Sequence, residues 1–234
     1  QGRFGGARSR AAIDSQALPP ATEDDLRNRG VLAELGDALH PTLYGVMAFG
    51  KDPQAYPQTR TFWVECVAYD GTDRASEVLL TGEAMGRLDE QVRKAVAWVR
   101  GLGKFERYED LKREDIPLVP PKALREAVVN AVVHRDYAIT GSKVLLEVFS
   151  DRIDVTSPGL LPNHMTVESA RSGGHPRSRN ELMANYLLVM GLMEQRGRGW
   201  PVIRRAMKEF NATEAELIQD EGGKYVRATL WLGR

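Results

Sequence analysis

Glu126, Asn130 and His134 are the residues of this chain whose types and spacing point most directly to chemistry. They interrupt an apolar run, Ala127-Val128-Val129 and Ala131-Val132-Val133, at positions i, i+4 and i+8. On a helix that spacing puts all three on one stripe. A helix apolar on almost every side is a buried one, and a buried carboxylate or amide is costly unless it finds a partner. Two readings follow. In one, the stripe is a structural hydrogen-bond network or a solvent-facing seam. In the other, Glu126 polarises a water as general base while Asn130 offers its oxygen to a hard cation such as Mg²⁺. His134 either orients Glu126 or fills the edge of the site.

A second cluster suits phosphate. Gly197-Arg198-Gly199 stands immediately before a helix-forming segment. Glycines at a helix N-terminus let backbone N–H groups approach an anion, although a glycine pair is often only a turn. Between the two clusters, Arg171 to Asn180 is basic and glycine-containing and reads as a solvated loop. No phosphate loop of the form G-x-x-x-x-G-K-[ST] occurs, which argues against a helicase motor. His40, His164 and His175 have no metal-site spacing, and Cys66 lies in an apolar strand as an inert core thiol.

The elements that must position these residues alternate in type. Pro121 to Arg135 reads as the helix carrying the stripe. Lys143–Phe149 and Arg152–Thr156 read as strands in a tight hairpin. Glu181–Glu194 and Val202–Phe210 read as helices, and Tyr225–Leu232 as a last strand. Helices on one face of a mostly antiparallel sheet make a two-layer α/β sandwich, an α+β fold. Upstream, Thr22 caps a short helix ending at Gly30, and Val31–Leu39 forms a small hairpin around Gly36-Asp37. Pro41 opens a helix to Phe49. That order is shared with winged-helix pieces. Arg60–Tyr69 reads as a strand and Leu88–Val99 as a helix, while residues 104–119 are charged and then proline-rich. The expected division is a tail or linker at 1–20, a smaller α/β subdomain with winged-helix-like elements at 21–118, and the sandwich at 119–234.

Bulk properties narrow the class. The chain has 234 residues and a formal net charge of zero. A protein whose main task is gripping phosphate backbones usually carries a basic excess, so nucleic-acid binding by this segment alone is not favoured. One cysteine permits no intramolecular disulfide. No apolar run reaches membrane-spanning length, and the first residues have no signal-peptide core. A cytoplasmic protein with no membrane partner is the expectation.

The series of a Glu-x-x-x-Asn helix, two strands with a glycine-containing turn, and Gly-x-Gly before a helix resembles the GHKL ATPase superfamily. More closely, Ala123 to Tyr137, Asp151 to Pro162 and Gly197 to Pro201 look like the signatures of its divergent "RecG-related" members. Pro41 to Pro53 resembles the segment found upstream in them, so the likeness covers roughly residues 22–234. The resemblance implies a GHKL (Bergerat) sandwich that takes ATP and Mg²⁺. Glu126 would be the general base and Asn130 the Mg²⁺ ligand. Gly197, Arg198 and Gly199 would form the phosphate-binding turn, with His134 at the nucleotide. The superfamily reads adenine with the Asp of an Asp-x-Gly-x-Gly strand end. Here Ser157 and Gly159 stand in that stretch, with Ser157 in the carboxylate's place. A lid is implied at 171–180, with Arg179 at the γ-phosphate. An AlbA-like (Schlafen-type) nucleic-acid-binding domain is implied before residue 1, as in transcriptional regulators, together with a homodimer and slow ATP hydrolysis. The alternative is a DNA-binding or dimerisation scaffold whose nucleotide site has degenerated.

Overall fold

The computed structural model of the protein describes residues 20–109, 112–162, 165–173, 178–193 and 199–233. The tail expected at 1–20 lies almost wholly outside the described residues, as do Gly197 and Arg198 of the expected phosphate turn.

The first elements follow their capping signals. Helix α1 (Glu23–Asn28) opens with a capping box in which Thr22 and Asp25 satisfy each other's backbone N–H groups. Strands β1 (Leu32–Leu35) and β2 (Ala38–Pro41) pair antiparallel around Gly36, whose φ is +65°. Helix α2 (Leu43–Phe49) begins one residue past Thr42, whose hydroxyl accepts from the Gly45 N–H. Pro41 therefore ends the hairpin instead of opening the helix.

The main sheet has six strands in the order β4-β3-β7-β8-β10-β9. These are β3 (Val64–Tyr69), β4 (Val78–Ala84), β7 (Val144–Val148), β8 (Arg152–Pro158), β9 (Glu216–Asp220) and β10 (Tyr225–Trp231). All neighbours run antiparallel except β3 and β7, which are parallel with Val64 opposite Val144. Two strands from before residue 118 thus complete the sheet carried by residues after it, and one core runs through both parts. The boundary drawn between 118 and 119 does not correspond to a break in the sheet. The charged stretch before it forms a hairpin, β5 (Lys104–Glu109) with β6 (Lys112–Pro117).

Alternation decides the two faces. Val64, Cys66, Val144, Leu146, Ile153, Val155, Ala228 and Leu230 are buried on one side. Against that side pack helices α3 (Leu88–Gly101) and α4 (Pro121–Val133), with α7 (Gly199–Asn211) lying on α4. Cys66 is fully buried, and burial pushes its thiol up to about 12. The opposite side holds buried polar groups. Arg74 grips Glu147 through two bonds of 2.6 Å, while Asp154 accepts from Thr229 and from Arg152. The result is a mixed α+β fold with helices layered on one sheet face. Among the described residues, no helix is long and apolar enough to cross a membrane.

Candidate functional site

Pro121 occupies the first turn of α4, where its missing N–H costs nothing. The helix ends at Val133, two residues before the expected Arg135. The carbonyls of Val133 and Arg135 instead accept the Asn180 side chain, at 2.7 and 3.0 Å. Along α4, Glu126 is 2 % exposed, and Asn130 directs its Nδ2 to Glu126 Oε1 at 3.4 Å. His134 caps the helix. Its Nδ1 is buried without a hydrogen-bond partner, and burial, aided by the Arg179 charge, pushes its pKa down to about 4. The imidazole is therefore neutral near pH 7.

Helix α7 begins at Gly199, three residues earlier than its apolar spacing predicts, because Pro201 fits a first turn. Gly199 sits directly on the α4 stripe. A Cβ there would overlap Glu126 Oε1 and lie 3.0 Å from its Cδ and 3.1 Å from Asn130 Nδ2. Only glycine lets the helix N-terminus approach so closely.

Strand β8 runs through Ser157 and Pro158, two residues past the expected Thr156, because Val226 and Tyr225 of β10 pair with them. Ser157 donates its hydroxyl hydrogen to the Ala131 carbonyl of α4 at 2.7 Å. Toward a ligand, its oxygen therefore offers lone pairs. Gly159 has φ +103°, and a Cβ there would meet Asp136 and the Arg179 guanidinium.

These elements enclose a cavity of about 590 Å³. Glu126, Asn130, His134, Ser157, Gly159 and Gly199 all line it. Leu160, Leu161, Pro162 and Met165 add apolar wall after β8, and Val155, Val226 and Ala228 contribute from the sheet. Helix α5 (Val167–Ser172) presents Ser169 and Ala170. Helix α6 (Glu181–Val189) presents Glu181, Ala184, Asn185 and Leu188. Arg179 is not part of this wall. It pairs with Asp136 at 2.9 Å and donates to the Leu160 carbonyl at 2.9 Å. Arg171 is likewise engaged, donating to the Leu217 carbonyl.

The spacing of motifs does not reveal Trp200, Asp136, Asn180 or Glu181. Trp200 lines the cavity, 7 % exposed, and its position right after Gly199 is the one signal that could have marked it. Asp136 follows His134 by two residues and Asn180 follows Arg179 by one, but nothing in their types indicates that Asp136 meets Arg179 or that Asn180 meets the end of α4.

An N-terminus of a 13-residue helix favours anions. Beside it stand a carboxylate and a carboxamide oxygen, which suit a cation or a water, and apolar walls that suit an apolar body. Among the described residues, no cluster of His, Cys, Asp and Glu could hold a metal by itself. One carboxamide oxygen does fit Mg²⁺, which keeps waters and usually arrives with phosphate oxygens.

Residues 141–230 match the family HATPase_c_4, described as "Putative ATP-dependent DNA helicase recG C-terminal". This part of the chain is thus similar to an ATPase-like domain, and the match begins after α4. Among solved structures, the chain is similar to the DIP2311 protein from Corynebacterium diphtheriae. The TM-score is 0.69 at 22 % identity, over 93 % of this chain and 42 % of that one. The likeness is one of fold, and the chain spans less than half of that protein's length. No curated protein matches the chain.

Proposed function

We propose that the chain is an ATP-Mg-binding regulatory module of GHKL type, capable of slow ATP hydrolysis. The observation that carries this reading is the N-terminus of α7 seated on the Glu126–Asn130 stripe inside a cavity of about 590 Å³. Ligand pockets of this size hold small molecules and cofactors. In this reading the phosphates lie at Gly199, where free N–H groups and the helix dipole favour them. The apolar wall from Leu160 to Met165 receives the base, and the Ser157 oxygen accepts a hydrogen bond from its amino group, directly or through water.

Glu126 takes the proton of the water that attacks the terminal phosphorus. Its bond from Asn130 holds the carboxylate in place, and the Asn130 oxygen would hold the cation. Mg²⁺, when bound, supplies charge neutralisation at the phosphate oxygens. His134, being neutral, contributes a hydrogen bond and no charge. An AlbA-like nucleic-acid-binding domain upstream and a second copy of the chain are the proposed partners, in a transcriptional regulator.

Thermal melting with and without ATP-Mg tests this. Ligand at about 100 times its dissociation constant stabilises by about 2.7 kcal/mol. For a chain of this size that raises the melting temperature by about 5–10 °C. No shift at millimolar ATP-Mg would remove the ATP assignment and leave the scaffold reading.

A further inference from the structure

Two consecutive residues at the entrance to α6 reach across to the other side of the cavity. Arg179 pairs with Asp136 on the loop leaving α4, and its second arm donates to the Leu160 carbonyl just past β8. Asn180 donates to the Val133 and Arg135 carbonyls, at the α4 C-terminus where the last carbonyls lack helical partners. Asp136 is itself held by the backbone around it. Its N–H donates to the Pro158 carbonyl at 2.8 Å, and its Oδ1 accepts from the Ala138 N–H at 3.0 Å. Behind it, Arg135 is 1 % exposed, stacks on Phe62 and Tyr137, and donates to the carbonyls of Asp136 and Ile139. Gly159 leaves the space in which Asp136 and Arg179 meet, since a Cβ there would collide with Asp136 and crowd Arg179.

We propose that Asp136, Arg179 and Asn180 form a clamp that positions α6 as a wall of the cavity. Arg179 is then a positioning residue and not a ligand of a phosphate. The Asp136–Arg179 pair is about two-thirds shielded from water, with side chains 33 % and 26 % exposed. It is fixed at both ends by further hydrogen bonds, unlike the mobile surface pairs that contribute little. Breaking it releases the first turn of α6, and with it Glu181, Ala184, Asn185 and Leu188 of the cavity wall.

The affinity arm of the test rests on the proposed nucleotide site; the exchange arm does not. Hydrogen exchange at the amides of 181–189 and ATP-Mg affinity are measured in the wild type, Asp136→Asn, Arg179→Gln and the double variant. Each single variant is expected to speed α6 exchange and weaken ATP-Mg binding, by about tenfold or more, and the double variant to be no worse than Arg179→Gln, since Asp136 acts on α6 through that arginine. Arg179→Lys, which keeps the charge but loses the arm to Leu160, is expected to fall between. An arginine that met phosphate would behave differently. Arg179→Gln would lose affinity, while Asp136→Asn, by releasing the guanidinium, would bind as tightly as the wild type or tighter. That pattern, or α6 exchange unchanged in both single variants, overturns the clamp. If the wild type binds no ATP-Mg, the nucleotide reading fails, and exchange alone decides the clamp.

Discussion

Gly199→Ala is the most direct perturbation of the contact on which the site depends. An ideal Cβ on residue 199 overlaps Glu126 Oε1, so the carboxylate or the first turn of α7 must retreat by about 1 Å. Glu126 is 2 % exposed, and its surroundings yield little. Forcing an extra carbon into such a place costs about 1–3 kcal/mol, which lowers the melting temperature by about 2–12 °C in a chain of this length. The ordinary gain from replacing a glycine, about 0.4–1 kcal/mol, offsets only part of this. A displacement of about 1 Å at a catalytic group costs about 10²-fold in rate. The assay pairs a melting curve with steady-state phosphate release, in Gly199→Ala, Glu126→Ala and the double variant. With the carboxylate shortened, only Asn130 Nδ2 at 3.1 Å still crowds the new methyl group, so alanine at 199 should cost much less in the Glu126→Ala background. Suppose Gly199→Ala alone melts as high as the wild type and releases phosphate as fast. The close approach of α7 to the stripe would then have no bearing on the site.

The other expectations concern single groups. Glu126→Ala should slow hydrolysis by about 10²–10⁴-fold while leaving nucleotide binding largely intact. Asn130→Ala should weaken nucleotide binding in Mg²⁺ and leave metal-free binding alone, read by calorimetric titration with and without the cation. His134 has a folded-state pKa of about 4 against an ordinary 6.5, so between those values the unfolded chain binds a proton that the folded chain refuses. Stability from this group is complete above pH 6.5 and falls as pH drops toward 4, by up to about 3 kcal/mol; His134→Gln should flatten that part of a stability-versus-pH curve. With a net charge of zero, the chain should bind DNA or RNA weakly and without sequence preference. A dissociation constant tighter than about 10⁻⁷ M at physiological salt would contradict this.

The stripe on α4 was legible because helical spacing is local: Glu126, Asn130 and His134 share a face whatever surrounds them. The strands at 144–158 and 225–231 were legible from alternation and a tight connection. What could not be read locally depended on partners. Val78–Ala84 does not alternate in burial, being an edge strand exposed along most of its length, and so it carried no strand signal. The hairpin at 104–117 is charged and gave no apolar alternation to mark its strands. Glu216–Asp220 is a short strand recognisable only from its pairing with β10. Arg179 looked like a free basic side chain because sequence shows charge and not its counter-ion; Asp136, 43 positions earlier, takes it up. The pairing across residues 118 and 119 was hidden for the same reason, since the parallel register of β3 on β7 joins residues 80 positions apart.

The strand order also sets a timetable. β10 is made after β9 yet lies inside it, between β9 and β8. Val226 and Ala228 on that strand form part of the cavity floor. On a ribosome, α4 with its polar stripe emerges roughly a hundred residues before the strand that closes the floor beneath it. Until residues 225–231 insert, β8 and β9 have no shared neighbour, and the chamber for a nucleotide does not exist. Contacts so distant in sequence form slowly. A nascent chain stalled before residue 225 would therefore bear Glu126 and Asn130 in a half-open groove, and ligand capture would report that synthesis has passed the last interior strand.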